Sequence, residues 1–215
     1  MKSAPAACCL ALLLLSSAAS ADSYDDFLFA VRFNDSAKLQ TLLARGMDAN
    51  AVEALRGETA LMIALREKSF KVRDLLLQLP ELKLEARATN GDTALMLAAF
   101  LGDSDSVAKL IAAGAEVNQV GWTALHYAAA SGNPETIAVL LEHAAYIDTE
   151  SPNKTTPLMM AVRSGKNAAV ELLIDEGADL YLKNDRGMTA LDFALENERK
   201  DLILLLKNRL AAKPN

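Results

Sequence analysis

The chain has 215 residues, of which 52% are hydrophobic and 23% are charged, and its formal net charge is −6. A chain of this length and composition can bury a sizeable core, which argues against general disorder. The acidic balance argues against a nucleic-acid-binding protein, because phosphate binding needs clustered lysine and arginine. Aromatic residues make up only 5% of the chain, too few for a stacking platform.

The first 21 residues have the pattern of a secretory signal peptide. Lys2 gives a positive start, an apolar run follows from Ala6 to Leu15, and Ala19–Ala21 is a small-residue cleavage site. The run is much shorter than the roughly 20 residues of a membrane span. A lipid anchor is the other alternative, but Cys8 and Cys9 stand before most of the apolar run rather than after it. We therefore predict cleavage after residue 21, a periplasmic or secreted location, and no membrane insertion after cleavage.

A five-residue pattern recurs along the rest of the chain. Its threonines are 34, 30, 33 and 33 residues apart, which indicates an internal repeat. After each copy come small residues, a break that is usually glycine, and a second apolar stripe at helical spacing. The five copies are Gly57–Leu61, Gly91–Leu95, Gly121–Leu125, Lys154–Leu158 and Gly187–Leu191.

At these residues the chain resembles the ankyrin-repeat family, from about Asp25 to Leu210. The resemblance implies an all-α ankyrin-repeat solenoid of about six helix pairs, joined by short β-hairpin-like loops. We predict a single domain over 22–215, with an N-terminal cap at 24–50 and a C-terminal cap at 185–210. Full repeats begin at 57, 91, 121 and 154. The layout is similar to that of small bacterial periplasmic ankyrin-repeat proteins.

Three departures from the repeat pattern carry structural predictions. The interval between Thr93 and Thr123 is short, so the loop between these units is expected to be clipped. The repeat that begins at Gly57 has Leu79–Glu81 in place of a Gly-Ala closure, so its second helix must end differently. Ala144 stands where Gly114 and Gly177 stand in other units, and a left-handed backbone there would cost about 1 kcal/mol.

The sequence offers no catalytic constellation. It has no phosphate-binding glycine loop, no Cys-x-x-Cys pair and no nucleophile elbow, and both cysteines would leave with the signal peptide. The resemblance implies that His126 forms a structural hydrogen bond between repeats. The acidic residues of Asp103–Ser106 are expected to cap a helix. We predict a protein that is not an enzyme and binds no metal or cofactor.

The remaining candidate function is protein binding. In the family, partners dock on the loop tips and on the concave face of the first helices. The tip positions here are Glu58, Asp92, Trp122, Thr155 and Met188, and the helix positions are the pairs before the mid-repeat break, such as Ala130 and Ser131. From these we select eight partner-binding candidates: Arg66, Glu67, Phe100, Leu101, Trp122, Ser131, Arg163 and Met188.

Two interpretations of Trp122 stay open: an interface anchor, or a plug that covers the clipped loop. The predicted function is that of an exported, monomeric scaffold that binds an envelope or periplasmic protein. The alternative is an immunity-type inhibitor of a toxic envelope-directed enzyme. The sequence does not discriminate between them, because Phe100, Leu101 and Trp122 suit either role.

Overall fold

The computed structural model describes residues 23–212, so the predicted signal peptide lies outside the described residues. Its contacts divide the chain into two compact units, Met1–Lys83 and Leu84–Asn215. The prediction of one domain over 22–215 stays a prediction, and each unit is described separately. The described helices of the first unit are α1 (residues 23–32), α2 (Ser36–Ala44), α3 (Ala60–Arg66) and α4 (Phe70–Leu76).

The second unit contains four further helix pairs. The regular elements among its described residues are all helices. The predicted all-α repeat fold is therefore confirmed. The helices are α5 (Ala94–Leu101), α6 (Ser104–Ala112), α7 (Ala124–Ser131), α8 (Pro134–Glu142), α9 (Pro157–Arg163), α10 (Asn167–Asp175), α11 (Ala190–Glu196) and α12 (Lys200–Ala212).

The recurring threonine begins the first helix of each full repeat. Thr93 has an extended backbone, and its hydroxyl accepts a hydrogen bond from the Met96 amide at 3.3 Å. Thr59, Thr156 and Thr189 cap α3, α9 and α11 in the same way. A cap of this kind satisfies an amide that has no partner inside the helix, which explains why threonine recurs at this position.

Equivalent helices of successive repeats pack against one another in the second unit. The first helices α5, α7, α9 and α11 form one contacting row, and α6, α8 and α10 form another. Alanines of the first row are almost completely buried, which allows close approach of the backbones. The stripe of the second helices is buried as well, as shown by Val107, Leu110, Ile137, Leu140, Val170 and Leu173.

Helices α6 and α8 begin with side-chain caps, and α6, α8 and α10 are each followed by a left-handed residue. Asn133 caps α8 by accepting from the Thr136 amide, with Pro134 at the first helical position, and Asp103 caps α6. Gly114 and Gly177 end their helices in the left-handed conformation, and Ala144 does so too, with φ of 60°. The strained backbone predicted at Ala144 is therefore confirmed.

Helix α4, the second helix of the repeat that begins at Gly57, ends without a left-handed residue. Leu77 keeps a right-handed backbone, and the amides of Gln78 and Leu79 bond to carbonyls three residues earlier. The different ending predicted for this helix is confirmed. The loop before α3 is closed by an isolated antiparallel bridge between Val52 and Thr59.

Candidate partner-binding site

The loop before α7 has no backbone hydrogen bond across it among the described residues. The other loops that precede a first helix in this unit are closed by such bonds: Ala88 N to Asp92 O, Ser151 N to Thr155 O, and Asn184 N to Met188 O. At the shortened loop the Gln119 side chain bonds instead to Glu85 and Arg87. Val120 is 99% exposed. The predicted clipping of this loop is confirmed.

The shortened loop brings Trp122 onto an apolar groove in the second unit. The groove has a volume of about 220 Å³ and is partly open to solvent. Its lining comes from α5, the loop before α7, α7 itself and α9: Phe100, Trp122, His126, Tyr127, Ala130 and Met160. Ala130 occupies the repeat position that Phe100 occupies one repeat earlier. Because the alanine side chain is small, it leaves a gap beside the phenyl ring.

Two edge-to-face ring pairs form the walls of the groove. Phe100 and Tyr127 have ring centroids 6.4 Å apart and planes at 85°. Trp122 and His126 have centroids 5.2 Å apart and planes at 74°. Both geometries are favourable for aromatic quadrupoles, so the walls are held in place by contacts within the unit.

His126 is fully buried beneath Trp122 and links two repeats. Its Nε2 lies 2.8 Å from the Thr155 carbonyl oxygen, and its Nδ1 lies 3.2 Å from the Thr123 backbone nitrogen. A carbonyl only accepts and an amide N–H only donates, so Nε2 carries the proton and Nδ1 accepts. Burial lowers the pKa of His126 to about 4, although the bond to Thr155 favours the charged form. The structural role predicted for His126 is confirmed.

Tyr127 is fixed by an acid at the neighbouring loop tip. Its hydroxyl donates to the Asp92 carboxylate, which also accepts from the Asn90 side chain at 2.7 Å. Burial raises the pKa of Tyr127, and the bond to Asp92 adds to this effect. The tyrosine therefore serves as a neutral, oriented wall of the groove, and it is not a general base at neutral pH.

The structure brings two of the eight candidate residues into the groove. Phe100 is 54% exposed and lines it together with the half-buried Trp122. Leu101 is 42% exposed on the same helix as Phe100. Arg163 is exposed at the end of α9, three residues after the groove-lining Met160.

The other four candidates lie elsewhere. Arg66 and Glu67 are exposed in the first unit, where Arg66 pairs with the Glu58 carboxylate. The Ser131 hydroxyl donates a hydrogen bond to the Ala128 carbonyl at 2.9 Å. Met188 is half-buried, and its loop is held by the Asn184 side chain.

Two of the five loop-tip positions, Glu58 and Thr155, hold buried side chains. Glu58 pairs with Arg66, and the Thr155 carbonyl is bonded to the Ser151 amide and to His126. Sequence reasoning also missed Tyr127 and Met160 as groove residues. Both stand four positions after the capping threonine, and this shared position is the signal that would have identified them.

Residues 23–212 also lack two other kinds of functional feature. No group of three or more histidine, cysteine, aspartate or glutamate residues within 23–212 is placed to hold a metal ion. No helix in the same range has the length and apolar character needed to cross a membrane.

Comparison with known proteins agrees with this architecture. The family model for ankyrin repeats matches residues 27–120, 81–151 and 145–215. The ankyrin repeat domain of Bcl-3, a unique member of the IkappaB protein family, is similar in structure. Its TM-score is 0.70 at 28% sequence identity, and the match covers 78% of this chain and 76% of that one.

Curated relatives share the repeats within much larger proteins. Neurogenic locus notch homolog protein 1 of Xenopus tropicalis is 36% identical over 135 residues, which is 61% of this chain and 5% of that protein. E3 ubiquitin-protein ligase KEG of Arabidopsis thaliana is 35% identical over 113 residues, 48% of this chain and 7% of that protein. This chain thus spans a small fraction of the curated relatives that it matches. The family models cover most of the chain, which therefore belongs to the ankyrin-repeat family.

Proposed function

We propose that this protein is an exported, non-enzymatic scaffold that binds an envelope or periplasmic protein. Ankyrin repeats are protein-binding modules, and that general role applies here. The observation that carries the proposal is the open aromatic groove between Phe100 and Met160. Exposed aromatic side chains around a concave site are typical anchors of protein interfaces. The export part of the proposal rests on the sequence pattern of residues 1–21.

Trp122 is proposed as the central anchor of this interface. It is half-buried and packs on His126, so it partly covers the buried histidine while one side stays available to a partner. Removing the indole is therefore expected to cost some stability and most of the binding.

The test is affinity capture from an envelope extract of the source organism. The bait is the tagged protein produced from the full coding sequence, compared with Trp122→Ala and Tyr146→Ala. Tyr146 is an exposed aromatic residue outside the groove and serves as the matched control. We expect a protein that the wild type and Tyr146→Ala retain and that Trp122→Ala loses.

The outcome also decides between the two roles. A resident envelope protein as the captured partner favours the scaffold. A toxic envelope-directed enzyme, inhibited on binding, favours the immunity-type alternative. Equal capture by all three baits would contradict the assignment of the interface to the groove.

A further inference from the structure

The groove has one chemical preference that its apolar lining does not by itself reveal. Helices α5, α7 and α9, which supply most of its walls, contain no acidic residue, and their one charged residue is Arg163. This is unusual in a chain with a net charge of −6. The charge carried by these three helices is therefore opposite in sign to that of the whole protein.

Arg163 lies beside the groove on the same helical face as Met160. Residues three apart on a helix are surface neighbours, and Met160 lines the groove directly. Arg163 is exposed and forms no ion pair among the described residues. Its guanidinium is thus available to a ligand.

Lys154 supplies a second basic group at the neighbouring loop tip. It precedes Thr155, whose carbonyl accepts from the groove residue His126 at 2.8 Å. The same loop packs near Trp122, because a Cβ built at Gly121 would lie 3.6 Å from Pro152. Lys154 is exposed and, like Arg163, has no ion-pair partner within residues 23–212.

The one acid that bonds to a lining residue among the described residues, Asp92, is already engaged. The Asp92 carboxylate already accepts hydrogen bonds from Tyr127 and Asn90. Its bonds hold one wall of the groove, whereas Arg163 ends α9, the helix that supplies Met160 to the lining. The groove therefore combines an apolar slot with the exposed Arg163 beside it.

The volume of the slot limits what fits inside it. At about 220 Å³ it is somewhat larger than an engineered protein cavity of about 150 Å³ that holds benzene. It is large enough for one leucine, methionine or phenylalanine side chain, and it is too small for a helix or a second strand.

We propose that the groove binds an extended acidic segment of a partner protein, with one apolar side chain in the slot and flanking carboxylates on Arg163, at the end of α9, and on Lys154, before its start. Arginine and lysine bind carboxylates through charge-assisted hydrogen bonds. The proposal rests on the protein-binding function above and specifies the chemistry of the segment that is recognised.

The experiment is a display selection of random linear peptides against three baits. These are the wild type, Ala130→Phe, which fills the slot, and Ala112→Phe, which adds the same ring on the exposed surface of α6. Circular dichroism checks that each variant is folded. The affinity of selected peptides is then measured through Trp122, the one tryptophan of the chain, whose fluorescence reports directly from the groove.

We expect peptides in which an apolar residue lies next to aspartate or glutamate. Their affinity should fall at least tenfold in Ala130→Phe and stay within twofold in Ala112→Phe. Arg163→Glu should weaken the acidic peptide at least fivefold and improve binding of its lysine-substituted counterpart.

Three results would overturn the proposal: selected peptides with basic flanks, affinities that Ala130→Phe leaves unchanged, or no enriched peptide. If any of these occurs while capture of an envelope protein still depends on Trp122, the acidic preference is wrong and the protein-binding function stands. If capture is also independent of Trp122, the groove is not the interface.

Discussion

Replacing Ala144 with glycine is expected to stabilise this protein. Ala144 follows α8 and has φ of 60°, a left-handed backbone that alanine adopts at a cost of about 1–2 kcal/mol. Its amide bonds to the Leu141 carbonyl at 3.0 Å, and the next amide, of Ala145, bonds to the Leu140 carbonyl at 2.9 Å. These two bonds define a Schellman ending, in which glycine is the preferred residue at this position.

The surrounding structure keeps the turn in place in the variant. The Asn118 side chain donates to the Ala144 carbonyl and accepts from the Tyr146 amide, both at 2.8 Å. Both bonds involve backbone atoms, so glycine retains them. The Ala144 methyl group is exposed, and removing it leaves no cavity.

The expected gain is the difference between two opposing effects. Relief of the left-handed strain contributes about 1–2 kcal/mol, and the greater freedom of glycine in the unfolded chain removes about 0.4–1 kcal/mol. We expect a net stabilisation of about 0.5–1 kcal/mol, which for a chain of this size raises Tm by about 1–4 °C.

The assay is thermal and urea unfolding followed by circular dichroism, with two control variants. Gly177→Ala introduces alanine at the equivalent turn, where a Cβ meets no atom within 4 Å, and should lower stability by about 1 kcal/mol. Ala112→Gly, at the exposed last residue of α6, should lower it by less than about 1 kcal/mol, because that is the cost in a helix interior. An unchanged or lower Tm for Ala144→Gly would refute the strain argument.

Three further predictions concern the buried His126, the buried Thr136 and the half-buried Trp122. His126 is neutral in the folded state, so the stability that it contributes is fully present above pH 6.5. The free energy of unfolding should fall by up to about 3 kcal/mol as the pH drops towards 4. An NMR titration of the ring near pH 6.5 would contradict this. The buried Thr136 hydroxyl has no hydrogen-bond partner among the described residues, so Thr136→Val should stabilise the protein by about 1 kcal/mol in urea unfolding, and a loss of stability would show that the hydroxyl is satisfied. Because Trp122 is only half-buried, Trp122→Ala should cost about 1–2 kcal/mol in the same assay; a cost above about 3 kcal/mol would instead identify it as a structural plug.

The sequence alone was sufficient for the repeat architecture and many of its local details. The Asp103 cap and the left-handed turn at Ala144 depend on interactions within a few residues. Such short-range geometry follows from residue type, because only certain side chains cap an amide or tolerate a positive φ. The bond from His126 to the next repeat followed from the resemblance to the family.

Only the tertiary structure revealed the groove. Phe100, Ala130 and Met160 lie on three different helices about 30 residues apart in sequence, and they meet because those helices stack. The gap beside Phe100 depends on side-chain size in the next repeat, and the burial of Glu58 and Thr155 depends on partners that their loops reach. A repeat pattern specifies the helix pair that each repeat forms. The shape and charge of the surface between repeats arise from the side chains that stacking brings together.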